Sequence, residues 1–469
     1  MSVDFDVKTH DVRVPTRRRL NLIPLIGTIF FIVCGGAYGL EPLVGAVGPG
    51  WALILILLTP IFWSLPIALM VAELSSAMPV DGGYYVWART ALGEFWAFQE
   101  GWWTICYMVV DLAVFPVLFV NYLAYFFPTL QLDGNGSVSW NTWLLRWGIA
   151  VAVIAVAFAV NTQGAKLVGQ SSTLNLILLF LPFAAIVIGA LAHEGSAGRA
   201  ISAISHDLTQ NRGATLLVLG LSTVMWNYMA WDNVSTFAGE VNHPQRNYPR
   251  AIAVALVLTV AAYLIPTLAG IAVTTDPKVW SESSGWPEIA RLVGGDLLGP
   301  FVAGGALLAT WSLFNGQLLY VSRLPYAMAL DGWMPSPLKH VSESTGVPVR
   351  SLLACCSIAA VFAALSFGKL VLIDVLLYSA ALSLEFVALI ALRLRAPELS
   401  RPFRIPGGWP GVILVALAPM SCGALLVITV VRSESAEPRQ ALIVIGAILS
   451  GVLVFVAKRL VRRSKPSLL

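Results

Sequence analysis

FIVCGGAYGLEPLVGAVGPG, residues 31–50, decides how the rest of the chain is read. It starts as a membrane-spanning helix and then stops. The apolar run Ile23 to Val33 gives way to Cys34-Gly35-Gly36-Ala37-Tyr38-Gly39, and Glu41-Pro42 opens a second short helical piece toward Val47. Pro42 suits a first helical turn, where its missing N–H costs no hydrogen bond. In lipid every backbone polar group must be paired, so non-helical backbone at membrane depth survives only where protein or water covers it. A second interruption follows Leu216 to Asn227, at Tyr228-Met229-Ala230-Trp231-Asp232, with Asp232 placed to cap the piece that resumes at Asn233.

Composition gives these interruptions their setting. The 469 residues are 58% hydrophobic and 12% charged, which excludes an ordinary soluble domain. A span needs about 20 apolar residues, and twelve candidates occur, at 20–48, 50–76, 94–127, 143–161, 166–192, 213–241, 250–275, 299–330, 349–367, 370–393, 411–431 and 440–461. With the amino terminus inside, 21 of the 29 Lys and Arg fall on the inner side and 8 on the outer, so both termini are expected in the cytoplasm of a multi-pass cell-membrane protein. No short apolar core with a cleavage site precedes the first span, so no cleaved signal peptide is expected.

The net charge of +4 is then a matter of topology, with the basic tail from Lys458 to Lys465 near anionic lipid; a nucleic-acid partner is not expected. The five cysteines lie in or beside apolar spans without paired spacing, so neither disulfides nor a metal site is expected, and no cofactor is called for. No H-E-x-x-H or G-x-S-x-G spacing occurs, which argues against an enzyme.

The interrupted spans are the first and the sixth. Discontinuous helices at corresponding places in two halves point to a transporter binding site, so spans one to five and six to ten are expected to form an inverted repeat. Two plainer readings stand beside this one. Gly35-x-x-x-Gly39 also fits small-residue helix packing, and Glu41 and Asp232 also fit as caps on half-helix amino termini.

The count of acids within spans favours a pathway, because charge at bilayer depth costs about 2.5–3.5 kcal/mol or more. Besides Glu41 and Asp232 there are Asp111 in span three and Glu385 in span ten, with Asp374 nearer that helix's outer end, and almost no basic residue accompanies them. A cationic substrate, a proton or a metal cation would supply the missing charge. In span three Trp103, Tyr107, Asp111 and Phe115 recur every four residues on one face. Such a face suits core packing, and it equally suits an ammonium group on an alkyl stem; Trp226, Tyr228 and Trp231 would extend it.

These residues resemble the amino acid, polyamine and organocation (APC) transporter superfamily. The stretch from Ala72 to Pro79 with Gly82-Gly83-Tyr84 looks like its second-span signature, and Gly239-Glu240-Val241 through Pro249 to Ile252 like its sixth-to-seventh-span signature. Within it the chain is most similar to the polyamine–proton symporters, including plant polyamine uptake transporters. GGAYGLE (35–41), FQEGWWT (98–104), WDNVSTFAGEV (231–241) and LYSAALSLEF (377–386) carry that likeness.

The resemblance implies an all-α integral membrane protein with a LeuT-like 5+5 inverted repeat. Helices 1 and 6 would be broken and two helices appended, giving a tail at 1–19, a transport core at 20–393 with repeats about 20–192 and 213–393, extra spans at 394–461 and a basic tail at 462–469. It implies a small amine or amino acid substrate bound by Gly35, Gly36, Ala37, Tyr38, Glu41, Tyr107, Asp111, Trp226, Tyr228, Trp231, Asp232 and Asn315. Glu41, Asp111 and Glu385 are the candidates for proton coupling. Gly-Gly-Ala-Tyr stands where amino acid carriers often show Gly-Ser-Gly-Ile, and span five has no central lysine, so a carboxylate is the expected proton carrier. A neutral amino acid permease and a non-transporting amine sensor remain alternatives.

Overall fold

A helix end leaves carbonyl and N–H groups unpaired, and the fold supplies partners at two such stops, after Val33 and after Asn227. The computed structural model describes residues 20–79, 83–132, 139–163, 172–192, 195–280, 285–432 and 438–464. The chain is nearly all helical. In order the helices are α1 Leu22–Val33, α2 Glu41–Val47, α3 Pro49–Ala77, α4 Gly83–Leu92, α5 Glu94–Leu123, α6 Trp140–Thr162, α7 Ser172–Ala192 and α8 Ser196–Leu208. They continue as α9 Ala214–Asn227, α10 Pro244–Val273, α11 Gly285–Val321, α12 Arg323–Leu330, α13 Val349–Phe362, α14 Phe367–Arg395, α15 Gly408–Arg432 and α16 Pro438–Ser464.

Among the described residues nine helices are long and apolar enough to cross a membrane, or ten if the pair bent by 98° at α7 and α8 counts as one span. The expected twelve therefore depends on also counting the short apolar helices α1 and α13, of 12 and 14 residues. Three details differ from the sequence reading. The piece after the second stop, Asp232–Glu240, is a 3-10 helix rather than an α-helix. Helices α4 and α8 are further short elements between the long ones. Non-helical backbone at Gly294 and Gly295 divides α11 into a short segment and a long one.

One hydroxyl serves both stops. Tyr263 on α10 donates to the Asn227 carbonyl at 2.7 Å and lies 3.3 Å from the Val33 carbonyl, the last carbonyls of α9 and α1. The Tyr228 carbonyl accepts from the Trp231 indole at 3.0 Å and from Ser64 at 3.1 Å, and the Ala37 carbonyl from the Trp286 indole at 2.8 Å. Ala230 holds a left-handed conformation, φ +72°, which costs a non-glycine residue energy that the surrounding contacts must offset. At Gly39, φ +85°, the Trp226 and Phe367 rings come within about 3 Å of where a Cβ would stand, so the close approach of rings to backbone requires glycine there.

Far from the stops, Asp207 at the end of α8 accepts from the Gly50 and Trp51 amides of α3 at 2.9 and 3.2 Å and pairs with Arg212. It caps a helix that is remote in sequence. Asp207→Ala leaves these amides without their acceptor, and we expect a loss of about 1–3 kcal/mol, read as a lower unfolding midpoint in detergent. An unchanged midpoint would mean that water replaces the cap.

Candidate functional site

Helices α5 and α14 run antiparallel and meet through three facing pairs. Asp111 touches Asp374, the Tyr107 and Tyr378 rings meet edge-on with centroids 5.1 Å apart, and Glu100 lies within Coulombic reach of Glu385. The intervals match on both helices: four residues and then seven from 111 to 107 to 100, and from 374 to 378 to 385. Eleven residues are close to three helical turns, so each set stays on one face and the two faces oppose each other.

Asp232, at the second stop, lies against the middle pair. It accepts from Tyr378 at 2.5 Å and lies 3.4 Å from the Tyr107 hydroxyl, which is nearer to Asn233 at 3.0 Å. Its carboxyl also touches that of Glu385, and Glu100 lies within Coulombic reach of both. Two carboxyls form a hydrogen bond only when the pair holds a proton. Thr104 donates to one Glu100 oxygen at 3.3 Å, while the other Glu100 oxygen and one Glu385 oxygen are buried without a donor.

At the first of these pairs Asp111 accepts from the Trp226 indole at 2.9 Å and from the Gln317 amide. Both oxygens of Asp374 and the side-chain oxygen of Gln317 are buried with no donor. Glu41 lies apart from these pairs. Its oxygens accept from the Gly39 amide and the Tyr122 hydroxyl, each at 2.7 Å. Tyr122 lies a further eleven residues along α5 from Asp111. Above Glu41, Trp286 and Trp280 are fully buried and pack edge-on at 5.3 Å, and the Trp280 carbonyl lies 2.3 Å from where a Gly45 Cβ would stand. This segment is one side of the 275–296 connection, of which 281–284 lie outside the described residues.

Of the residues expected from sequence, Tyr107, Asp111, Trp226, Asp232 and Glu385 converge, with Glu41 and Tyr38 at one end. Tyr38 packs on Tyr122 and Phe183, and its buried hydroxyl has no partner. Gly35 and Gly36 lie in the stop itself, where Gly36 takes φ +75°. Tyr228 points elsewhere, its hydroxyl on the Ile56 carbonyl at 3.1 Å. Asn315 is engaged by Asn161 and the Trp311 carbonyl, each at 2.9 Å. Trp231 is buried with its indole on the Tyr228 carbonyl. Glu100 is the participant that sequence reasoning passes over. Its signal is its place in FQEGWWT, an acid in an apolar helix eleven residues before Asp111.

The acids of this region have no lysine or arginine partner among the described residues, whereas Asp207 pairs with Arg212 and Glu73 with both Arg393 and Arg401. A separate cavity of about 460 Å³, lined by Tyr85, Arg89, Glu94, Asp331 and Trp333, opens beside α4. There Tyr85 donates to Asp331 at 3.2 Å, and burial, reinforced by the Asp331 charge, pushes the Tyr85 hydroxyl well above its ordinary range.

The sequence profile of the amino acid permease family matches residues 26–454. The chain belongs to the amino acid permease family. This permease is a multi-pass membrane transporter of the APC superfamily, for which a LeuT-like architecture is consistent with the helices described. It is 34% identical over 449 residues to polyamine transporter PUT1 of Oryza sativa subsp. japonica, covering 96% of this chain and 80% of that one. It is 32% identical over 445 residues to polyamine transporter RMV1 of Arabidopsis thaliana, covering 94% and 86%. A methylthioribose transporter of Bacillus subtilis (strain 168) is 26% identical over 393 residues, covering 81% of each.

Proposed function

We propose that this permease imports a small aliphatic amine, a polyamine or a cationic amino acid, as a proton-coupled symporter working by alternating access. The reading rests on one observation: Glu41, Asp111, Asp232, Glu100, Asp374 and Glu385, at the two stops and on α5 and α14, have no basic partner among the described residues. Buried acids in that number need positive charge from elsewhere, and a substrate bearing ammonium groups brings it. The relatives named polyamine transporters support the same substrate class. Asp232 and Glu41 face the ammonium groups, and Tyr107, Trp226 and Trp231 line the methylene path. The Asp232–Glu385 contact exchanges the coupling proton, since the pair must hold one whenever no cation lies between its oxygens.

In this reading both termini face the cytoplasm from the plasma membrane, and 20–192 and 213–393 form the two inverted repeats. The short helix that follows the second span of each half, α4 in one and the first segment of α11 in the other, supports that division. Competition in proteoliposomes tests the substrate class. Putrescine and arginine should displace labelled putrescine while leucine does not; displacement by leucine alone would favour a neutral amino acid permease. Glu41→Gln keeps an acceptor for the Gly39 amide and removes the charge, so we expect diamine uptake to fall about tenfold. Undiminished uptake would make Glu41 a helix cap and nothing more.

A further inference from the structure

Away from the buried acids, the cavity beside α4, about 460 Å³, has the size of a small-molecule site and a definite charge pattern. Its lining holds one guanidinium, Arg89, two carboxylates, Glu94 and Asp331, and two aromatic side chains, Tyr85 and Trp333. A single base against two acids disfavours phosphates and other simple anions. Arg89 also disfavours a plain diamine, which would bring positive charge to a guanidinium and offer it no anion. The matching ligand carries one carboxylate and two cationic groups. Its carboxylate pairs with Arg89, its cations with Glu94 and Asp331, and the Trp333 indole suits a cationic end. Free lysine, ornithine and arginine have this pattern.

The walls are held together by packing. Tyr85 donates to Asp331 at 3.2 Å, the Trp333 amide turns back to the Met328 carbonyl at 2.8 Å, and the Trp333 ring stacks on Phe455 with centroids 4.9 Å apart. Where α5 passes, a Cβ on Gly101 would lie 2.9 Å from the Met328 sulfur and 3.3 Å from the Tyr85 ring. At its other end α4 abuts the second stop. A Cβ on Gly83 would stand 1.9 Å from the Ser235 hydroxyl oxygen, in the 3-10 helix that begins at Asp232, and Tyr84 lies within Coulombic reach of Asp232, Glu100 and Glu385. Helix α4 thus links the cavity to the segment that carries Asp232. We propose that this cavity binds a basic α-amino acid from the cytoplasm, and that its occupancy holds α4 in place and slows uptake. The effect on uptake rests on the transport reading and orientation proposed above; the binding does not.

Binding is read first in detergent, on the full chain with saturating putrescine present to occupy the amine pathway. Lysine should raise the unfolding midpoint. Cadaverine, which is lysine without its carboxylate, and norleucine, which lacks the side-chain ammonium group, should each need about tenfold or more higher concentration for the same rise. Asp331→Asn should weaken lysine by a similar factor. In right-side-out membrane vesicles, lysine loaded inside should lower putrescine uptake about fivefold or more, while Asp331→Asn, with unchanged uptake in the absence of lysine, should escape. No shift with lysine, or equal shifts with lysine and cadaverine, overturns the site on the wild-type protein alone, whether or not Asp331→Asn folds. Binding without an effect on uptake overturns the restraint on α4. Failure of putrescine to be taken up at all overturns the transport reading and leaves the lysine comparison to decide the cavity.

Discussion

Asp232→Asn is expected to cut diamine uptake by about 100-fold or more, in a protein that still folds. Asparagine keeps the shape and one acceptor oxygen, which serves Tyr378, while Tyr107 keeps Asn233 as its acceptor. The charge is what disappears. An ammonium group carried to this buried point without its carboxylate is left uncompensated, at a cost of about 3–5 kcal/mol, and each 1.4 kcal/mol is tenfold. The substitution also places an amide against Glu385, which already touches Asp232 through its carboxyl. That contact then no longer needs a shared proton, and the remaining uptake should lose its dependence on external pH. Initial rates measured across a pH series, with unfolding midpoints taken on the same preparations, check both parts. Wild-type uptake by the variant would remove Asp232 from the proposed site.

The second large effect lies away from the pathway. Glu73, near the end of α3, is fully buried and binds Arg393 of α14 through two nitrogens, one at 2.8 Å. It also accepts from the Ile405 amide at 2.8 Å and lies 3.5 Å from Arg401. Arg401 in turn donates to the carbonyls of Leu392 and Ala396, at 2.9 and 3.0 Å. The segment between α14 and α15 is thus fixed to both α3 and α14. Glu73→Gln removes the one acid shared by two arginines whose side chains are only 13% and 6% exposed. Breaking a buried pair from one side costs about 3–5 kcal/mol, so we expect a markedly lower unfolding midpoint and poor recovery from membranes. Replacing Glu73 with its closer partner, as in Glu73→Leu with Arg393→Leu, should restore part of the loss, because Arg393 is then not left buried and unpaired while Arg401 keeps its carbonyl acceptors. Equal stability of Glu73→Gln and wild type would show that water reaches this network.

Much of the arrangement is legible in the chain because it is local. Glycine spelling and a proline at a first turn mark where α1 ends and α2 begins, and the four-residue recurrence of Trp103, Tyr107, Asp111 and Phe115 places four side chains on one face of α5. Tyr228 and Asn315 show the limit of such reasoning. Both have suitable chemistry near suitable breaks, yet one hydroxyl is committed to Ile56 and the other amide to Asn161. Nothing within either segment marks those partners, which come from α3 and α6.

The sequence by itself determined the membrane class, the all-helical character, the family and the presence of acids within apolar helices, since hydropathy and periodicity are properties of one segment at a time. Tertiary structure alone decided which acids meet. Glu100 and Asp374 acquire meaning only in the antiparallel register of α5 and α14, and Tyr263 comes to serve both stops only where α10 packs against the ends of α1 and α9. Register between helices follows from side-chain packing across segments hundreds of residues apart, and no periodicity within a single helix encodes it.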